Sequence, residues 1–488
     1  MIIFITKIFY PFIPLYLCND RQKKYNRGLN NFIIILIILS LFPFLLLSGQ
    51  PVAFALSIEE ERLLGREFME NIRRQLELVD DDFVNEYIND LGNYLIRPLE
   101  TKHFPFRFHI VKDNDLNAFA GPGGHIFIFT GLIEVMDAID ELAAVICHEI
   151  AHVSSRHLSH RIAKGKMIGL ATMAGVLVGS LLGGEVGGAV MTGSVAAGIQ
   201  KQLSYSRNDE RHADQLGYIY MDKAGFDPSG IISVLTKLQQ GQWDVTKEAP
   251  PYLLTHPGGT ERISDIESML SSHTPLTIKG ETDNHFRKYY PLFKTILRAG
   301  YLESHDAERN FKMALEKDPD SSLAHFGLGI VLREKAEYPG AIDHFKRALK
   351  GLSELLPVLR YLSETYQLKG EDREAINILK RALKLNGKDK SSLFLMAMSY
   401  QNLEEYSKAI SIYERLASME PVKNEVFYNL GVSLGRLDRL GFAHYHFGIY
   451  FKKLNKKQKA DFHFQKAKEL SGNDPLLMDR LRKAMEEN

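Results

Sequence analysis

The chain has 488 residues, about three times the length of a typical domain, so two or three domains are expected rather than one core. Its 60 Lys and Arg residues balance 60 Asp and Glu residues, and this zero net charge argues against nucleic-acid binding. With 45% hydrophobic and 25% charged residues, the composition is that of a globular protein and excludes a largely disordered one. Two cysteines, Cys18 and Cys147, are too few for a disulfide scaffold or a cysteine-rich zinc module.

The first 55 residues are expected to be a secretory leader. A basic stretch at 21–31 precedes an uncharged apolar run at 32–47, and the small-residue pattern Ala53-Phe54-Ala55 follows. This order is typical of a signal peptide that is cut after Ala55. The apolar run is shorter than the about 20 residues of a membrane span, but an uncleaved anchor is the alternative.

The metal-binding candidates begin on a segment that contains no Gly or Pro, residues 137–157, whose apolar residues predict a helix. It carries the string HEIAH, from His148 to His152. Two histidines four residues apart project from one face of a helix and can hold one Zn²⁺, with Glu149 beside the attacking water as general base. Burying this carboxylate between two histidines would be costly without a compensating metal.

A catalytic zinc ion takes three protein ligands and keeps one position for water. A metzincin would need Gly at position 155 and His at position 158, but the chain has Ser155 and Leu158, so that class is excluded. A second predicted helix offers Glu210 and Asp214, again four residues apart. We expect Glu210 to be the third metal ligand and Asp214 to accept the N–H of a ligating histidine.

Three other histidines are close in sequence to these candidates. His157 and His160 lie at poor angles to the face of the first two ligands, and we expect them to face solvent or to stand behind the ligands. His212 competes as a ligand, but it lies on the opposite side of its helix from Glu210 and Asp214.

HEIAH, followed some sixty residues later by E-x-x-A-D, resembles peptidase family 48 of the gluzincins, which contains the HtpX heat-shock proteases and the CAAX prenyl endopeptidases. The segment Thr255-His256-Pro257 also resembles that family. The resemblance implies that His256 donates to the oxyanion or gates the zinc, and an ordinary loop histidine is the alternative.

A further segment, NAFAGPGG at 117–124, resembles the hairpin that precedes the metal helix in this family. Its composition predicts a turn that leads into a strand at His125–Thr130. An edge strand beside the cleft would let a substrate backbone add as a further strand. The residues expected to contact substrate there are Asn117, Ala118 and Phe119.

The C-terminal third contains an internal repeat of 34 residues. At this spacing an alanine recurs, and a large apolar residue follows each alanine four positions later. A small residue also recurs at a third position of the repeat. The pattern resembles the tetratricopeptide repeat, a helix-turn-helix unit whose small positions let two helices approach closely. The aligned residues are Ala307, Ala341, Ala375, Ala409 and Ala443; Phe311, Phe345, Leu379, Tyr413 and Phe447; and Gly329, Ser363, Ala397 and Gly431.

The predicted fold is therefore mainly α: an HExxH zinc-metallopeptidase domain of helices with a small β-sheet, followed by an α-solenoid of tetratricopeptide repeats. Such a solenoid presents a groove for an extended peptide or a partner helix, and a role as a mere spacer is the alternative. The expected boundaries are 1–55 for the leader, 56–275 for the peptidase domain, 276–304 for a linker or first helix, and 305–488 for the repeats.

Residues 165–200 are rich in glycine and almost uncharged. Glycine pairs at 183–184 and 187–188 interrupt this segment, so neither half reaches the length of a membrane span. We expect a pair of small-residue helices over the active site or docked on a membrane surface, and a membrane hairpin is the alternative.

Leader, gluzincin domain and repeats together resemble the periplasmic proteases that enhance β-barrel assembly in Gram-negative bacteria. The resemblance implies a periplasmic zinc metalloendopeptidase that cleaves misfolded or misassembled outer-membrane proteins. It also implies repeats that bind unfolded clients or the outer-membrane assembly machinery. The rival hypothesis is a zinc-bearing chaperone or scaffold with little proteolysis.

Overall fold

The computed structural model describes residues 56–164, 205–240, 250–272, 281–301, 304–353, 355–472 and 474–486. The predicted leader and the glycine-rich segment at 165–200 lie outside the described residues, so the interpretations of both stay predictions. Within the described ranges, no helix combines the length and apolar character needed to span a bilayer.

The peptidase region packs helices around a three-stranded sheet. Strand β3 lies in the middle of this sheet, parallel to β1 and antiparallel to β2. The elements are α1 (Ile58–Gln75), α2 (Asp82–Leu95), β1 (Arg107–Val111), β2 (Ala118–Gly121), β3 (His125–Phe129), α3 (Thr130–Val135), α4 (Ile139–Ser154), α5 (His157–Lys164), α6 (Arg207–Ala224), α7 (Ser229–Gln240), α8 (Pro251–Thr255) and α9 (Gly259–Ser272).

The expectation of an edge strand at His125–Thr130 is wrong in two respects. Thr130 is the first residue of α3, and β3 has a partner on each side. The parallel partner β1 comes from residues before the hairpin, and local alternation of residues does not reveal such a long-range pairing. The sheet edge that packs against helix α4 is strand β2.

Helices α4 and α6 bring the predicted ligands together. Nearly every residue of α4 is buried, which is why its sequence is apolar on all sides. Helix α6 begins with a capping box, in which the side chains of Ser206 and Asp209 each accept the backbone N–H of the other residue. At Gly217 a Cβ atom would stand 3.4 Å from the backbone nitrogen of His148, which is ordinary van der Waals contact, so the two helices pack closely at this position.

The C-terminal region consists of successive antiparallel helix pairs, and the prediction of a tetratricopeptide-type solenoid is confirmed. Large rings fill the space left by the small positions: Phe345 packs against Gly329, and Phe447 packs against Gly431. The helices are α10 (Glu281–Gly300), α11 (Ser304–Lys317), α12 (Ser322–Glu334), α13 (Tyr338–Ala348), α14 (Leu356–Leu368), α15 (Asp372–Leu385), α16 (Lys390–Asn402), α17 (Tyr406–Ala417), α18 (Asn424–Arg436), α19 (Leu440–Lys453), α20 (Lys457–Glu469) and α21 (Pro475–Glu486).

The repeats and the peptidase region share one hydrophobic core. The largest cluster of buried side chains runs from Val79 through α4 to Met396 in α16. The described residues from Leu56 onward accordingly form one compact unit. The repeats are therefore placed to influence the peptidase region through packed contacts.

We expect Gly431→Val to destabilise the repeats by about 1–3 kcal/mol, because a Cβ at this position would already lie 2.8 Å from the Phe447 ring. Gly435→Ala, on the same helix, is the control, since its Cβ would meet only Ala443 at 3.8 Å. The measurement is the shift of the urea unfolding midpoint. Equal midpoints for the two variants would contradict the packing argument.

Candidate metal centre

Four buried side chains converge on one point between α4 and α6. His148 and His152 come from α4, Glu210 from the first turn of α6, and His256 from the residue after α8. Each offers one ligand atom, and all four atoms lie within 4.8 Å of one another. The structure therefore brings together the three predicted ligands and adds His256 to them.

The spacing of these atoms fits a single small ion. Nε2 of His148 and Nε2 of His152 are 3.0 Å apart, and the Glu210 oxygens lie 3.4 Å and 3.3 Å from these two nitrogens. Donors at the corners of a tetrahedron around Zn²⁺, each about 2.1 Å from the ion, would stand about 3.4 Å apart. A site of two imidazoles and one carboxylate is also a typical donor set for catalytic zinc.

Glu149 projects into the same site without a hydrogen-bond partner. Its side chain is 0% exposed, and neither carboxylate oxygen has a partner among the described residues. Nε2 of His256 lies 3.6 Å from its Oε1. Burial raises the pKa of Glu149. A buried carboxylate of this kind requires a compensating group, and a metal ion with its water would supply one.

Asp214 and Arg262 hold the ligands from behind. Oδ1 of Asp214 lies 2.9 Å from Nδ1 of His148, which leaves Nε2 of that ring free to face the metal. Arg262 donates to both oxygens of Asp214, at 2.6 and 2.8 Å, and its Nη1 lies 2.9 Å from Glu210. Asp214 thus occupies the position predicted for it, whereas the role of Arg262 was not predicted.

The electrostatics of the cluster favour a cationic occupant. Burial alone would raise the pKa of Glu210, but His256, Arg262 and His148 outweigh it and hold that pKa well below the usual range. Burial and Arg262 lower the pKa of His148, yet Glu210 and Asp214 together raise it to about 9. In the absence of metal His148 is therefore protonated at neutral pH, and a metal ion has to displace that proton.

His256 lies at the cluster, and its role toward the oxyanion or the metal stays a prediction. Its side chain is fully buried, and its Nδ1 lies 3.3 Å from Nε2 of His148 and 3.1 Å from Glu210. Its ring is stacked between Tyr252, at 4.4 Å, and Tyr205, at 5.0 Å between centroids. Neither tyrosine was predicted, because the HEIAH and E-x-x-A-D motifs include neither of them.

Of the other nearby histidines, His157 stands behind a ligand: its Nδ1 lies 2.9 Å from Nδ1 of His152. Its Nε2 lies 3.2 Å from Nδ1 of His212, which is exposed and is not one of the four donors. His160 is exposed to solvent, which is one of the two positions that we expected for it.

The residues proposed to contact substrate lie in or beside the edge strand β2. Asn117, Ala118 and Phe119 are all 0% exposed, and the Phe119 ring stacks on Phe127 at 4.9 Å. Their side chains therefore support the sheet. Contact between a substrate and this strand would require that the groups covering it move away.

Comparisons with known proteins agree with the geometry. The model of peptidase family M48 matches residues 83–270, and that of the anaphase-promoting complex, cyclosome, subunit 3 matches residues 314–416. The beta-barrel assembly-enhancing protease of Yersinia pestis is 32% identical over 243 residues, which are 49% of this chain and 50% of that protein.

Two other relatives are also similar to part of this chain. The beta-barrel assembly-enhancing protease of Escherichia coli strain K12 is 30% identical, again over 49% of this chain and 50% of that protein. The mitochondrial metalloendopeptidase OMA1 of Schizosaccharomyces pombe is 28% identical over 43% of this chain and 59% of that protein. The chain spans about half the length of these curated relatives. The HEIAH helix, the Glu210 helix and their convergent donors lie within the matched region, and residues 83–270 of this chain are a peptidase family M48 domain.

Proposed function

We propose that this chain is a zinc metalloendopeptidase that hydrolyses peptide bonds of misfolded or misassembled envelope proteins, outer-membrane proteins among them. The observation that carries the proposal is the convergence of His148, His152 and Glu210 on one point, with the unpartnered carboxylate of Glu149 beside it. The match of the peptidase family M48 model to this region supports it.

The proposed chemistry assigns one task to each residue. His148, His152 and Glu210 would hold the ion, and zinc bound there would lower the pKa of water and polarise the scissile carbonyl. Glu149 takes the proton of the attacking water and delivers it to the leaving amine nitrogen.

The residues around the ligands fix their orientation. Asp214 keeps the proton of His148 on Nδ1. Arg262 forms ion pairs with the carboxylates of Asp214 and Glu210. The stack of Tyr205 and Tyr252 holds His256 at the cluster, from where it donates to the developing oxyanion or gates the metal.

The cellular setting is also a proposal. The named relatives from Yersinia pestis and Escherichia coli are beta-barrel assembly-enhancing proteases, and we infer a periplasmic location and clients of the same kind for this chain. The repeats would bind unfolded clients or the outer-membrane assembly machinery, as tetratricopeptide solenoids bind protein segments. Contact with a membrane surface through residues 165–200 stays a prediction.

The direct test of metal dependence is removal of the ion. We expect o-phenanthroline to stop the cleavage of unfolded casein by the purified protein and stoichiometric Zn²⁺ to restore it, because none of the proposed steps proceeds without the ion. The measurement is the rate of release of acid-soluble peptide. Unchanged cleavage in the metal-free protein would contradict the proposal.

Arg262→Met is expected to weaken zinc binding about 10–100-fold, because it leaves the buried carboxylates of Asp214 and Glu210 without their cation. Arg211→Met is the matched control, since Arg211 makes an exposed ion pair with Asp265. The measurement is competition for zinc with a fluorescent chelator. Equal affinities of the two variants would overturn the role given to Arg262.

A further inference from the structure

The first helices of four successive repeat pairs face the beginning of α2. These helices are α12, α14, α16 and α18, and the space they border is called the repeat groove here. Residues that line it include Arg333, Tyr361, Ser391, Phe394 and Val426.

An acidic segment of the peptidase region occupies part of this groove. The Tyr361 hydroxyl donates to Oδ2 of Asp81 at 2.7 Å, and the Ser391 hydroxyl donates to Oδ2 of Asp82 at 2.6 Å. The Lys423 ammonium donates to Oδ1 of Asp82. The repeats therefore bind two adjacent aspartate side chains through three side chains of their own, and the contact of Lys423 with Asp82 is a charge-assisted hydrogen bond, which is among the stronger kinds in proteins.

The charges of the groove suit a negatively charged ligand. Its own acids are neutralised within the repeats, since Asp389 pairs with Arg360 and Glu364 pairs with Arg333. Burial raises the pKa of Asp82, but Lys423 and Ser391 outweigh burial and lower it, so this carboxylate is ionised at neutral pH.

The acidic segment leaves room on both sides of itself. A cavity of about 440 Å³ beside Asp82 is lined by the apolar side chains of Phe394, Met419 and Val426 and by the charged side chain of Lys388. A second cavity, of about 480 Å³, extends past Tyr301. A longer peptide could therefore make the same carboxylate contacts and also bury apolar side chains.

We propose that the repeat groove binds an acidic segment of a partner protein, and that Asp81 and Asp82 are its internal occupant. The recognised feature is a pair of adjacent carboxylates next to an apolar side chain. A partner segment of this chemistry takes the place of the start of α2 and so loosens the contact between repeats and peptidase region. This inference does not depend on peptide-bond cleavage, and its test needs no proteolysis.

Competition with the internal segment determines how tightly a partner binds. If a site is open for only a fraction of the time, its apparent affinity for a ligand is its intrinsic affinity multiplied by that fraction. Removing the charges of the internal occupant should therefore strengthen the binding of an external acidic peptide. Asp81→Asn combined with Asp82→Asn does this while preserving the helix, because asparagine is also a good N-cap at position 81.

The experiment measures fluorescence anisotropy of a labelled peptide with the sequence of residues 78–86, LVDDDFVNE, added to the full chain. We expect the Asp81→Asn, Asp82→Asn protein to bind this peptide at least about tenfold more tightly than the unmodified protein. Adding Lys423→Ala should weaken this binding about tenfold, because one charge-assisted contact is lost.

Two controls separate the groove from unspecific attraction. Lys380→Ala removes an exposed lysine from α15, outside the groove, and should leave binding unchanged. A peptide with asparagine in place of the second and third aspartates should not bind. Equal affinity of the unmodified and the doubly substituted protein would overturn the proposal. Binding that tolerates Lys423→Ala or the asparagine peptide would overturn it as well.

Discussion

Glu149→Gln is expected to lower the rate of peptide hydrolysis by about 10²–10⁴-fold while zinc stays bound. The glutamine has nearly the same shape, but it cannot accept the proton of the attacking water. Zinc retention is expected because the ligand atoms belong to His148, His152 and Glu210. The measurements are the rate of casein cleavage and the zinc content of the same preparation.

The control for this variant is Glu261→Gln, an exposed glutamate that pairs with Arg207 on the surface. It should change neither rate nor zinc content. Undiminished cleavage by Glu149→Gln would remove that residue from the chemistry. If the unmodified protein and Glu149→Gln both contain zinc and neither cleaves casein, the result would favour a gated site or the chaperone or scaffold hypothesis.

The second large effect is expected at Glu210, whose substitution by Gln should abolish both zinc retention and hydrolysis. The carboxylate supplies the only negative charge among the three proposed ligands, and it lies 3.3 and 3.4 Å from the two histidine nitrogens. We expect zinc affinity to fall by more than the about 10–100-fold that loss of a partner behind the ligands produces. Zinc content after dialysis, measured by atomic absorption, tests this.

Glu261→Gln serves as the matched control here too, because Glu261 contacts α6 through an exposed ion pair with Arg207. The variant proteins should have similar helical content by circular dichroism, which separates metal loss from unfolding. A Glu210→Gln protein that keeps its zinc would show that another residue is the third ligand.

The parts of the site that sequence predicts are those encoded by helical spacing. His148 and His152 share a face because they are four residues apart, and the same spacing places Glu210 and Asp214 together. The repeats could be predicted for a related reason, since a period of 34 residues fixes which side chains of neighbouring helices meet.

The other parts depend on contacts between distant segments. His256 reaches the cluster because Tyr205 and Tyr252 hold its ring from both sides, and Arg262 reaches Asp214 across 48 positions in the chain. The central position of β3 follows from its pairing with β1, which local alternation does not encode. Docking of Asp82 into the repeats likewise joins residues 341 positions apart.

We propose that one zinc ion is held between α4 and α6, and anomalous X-ray scattering at the zinc absorption edge, from crystals of the purified protein, would locate it. We expect one peak per chain about 2.0–2.2 Å from Nε2 of His148, Nε2 of His152 and a carboxylate oxygen of Glu210. A crystal that contains zinc but shows no peak at these three side chains would contradict it.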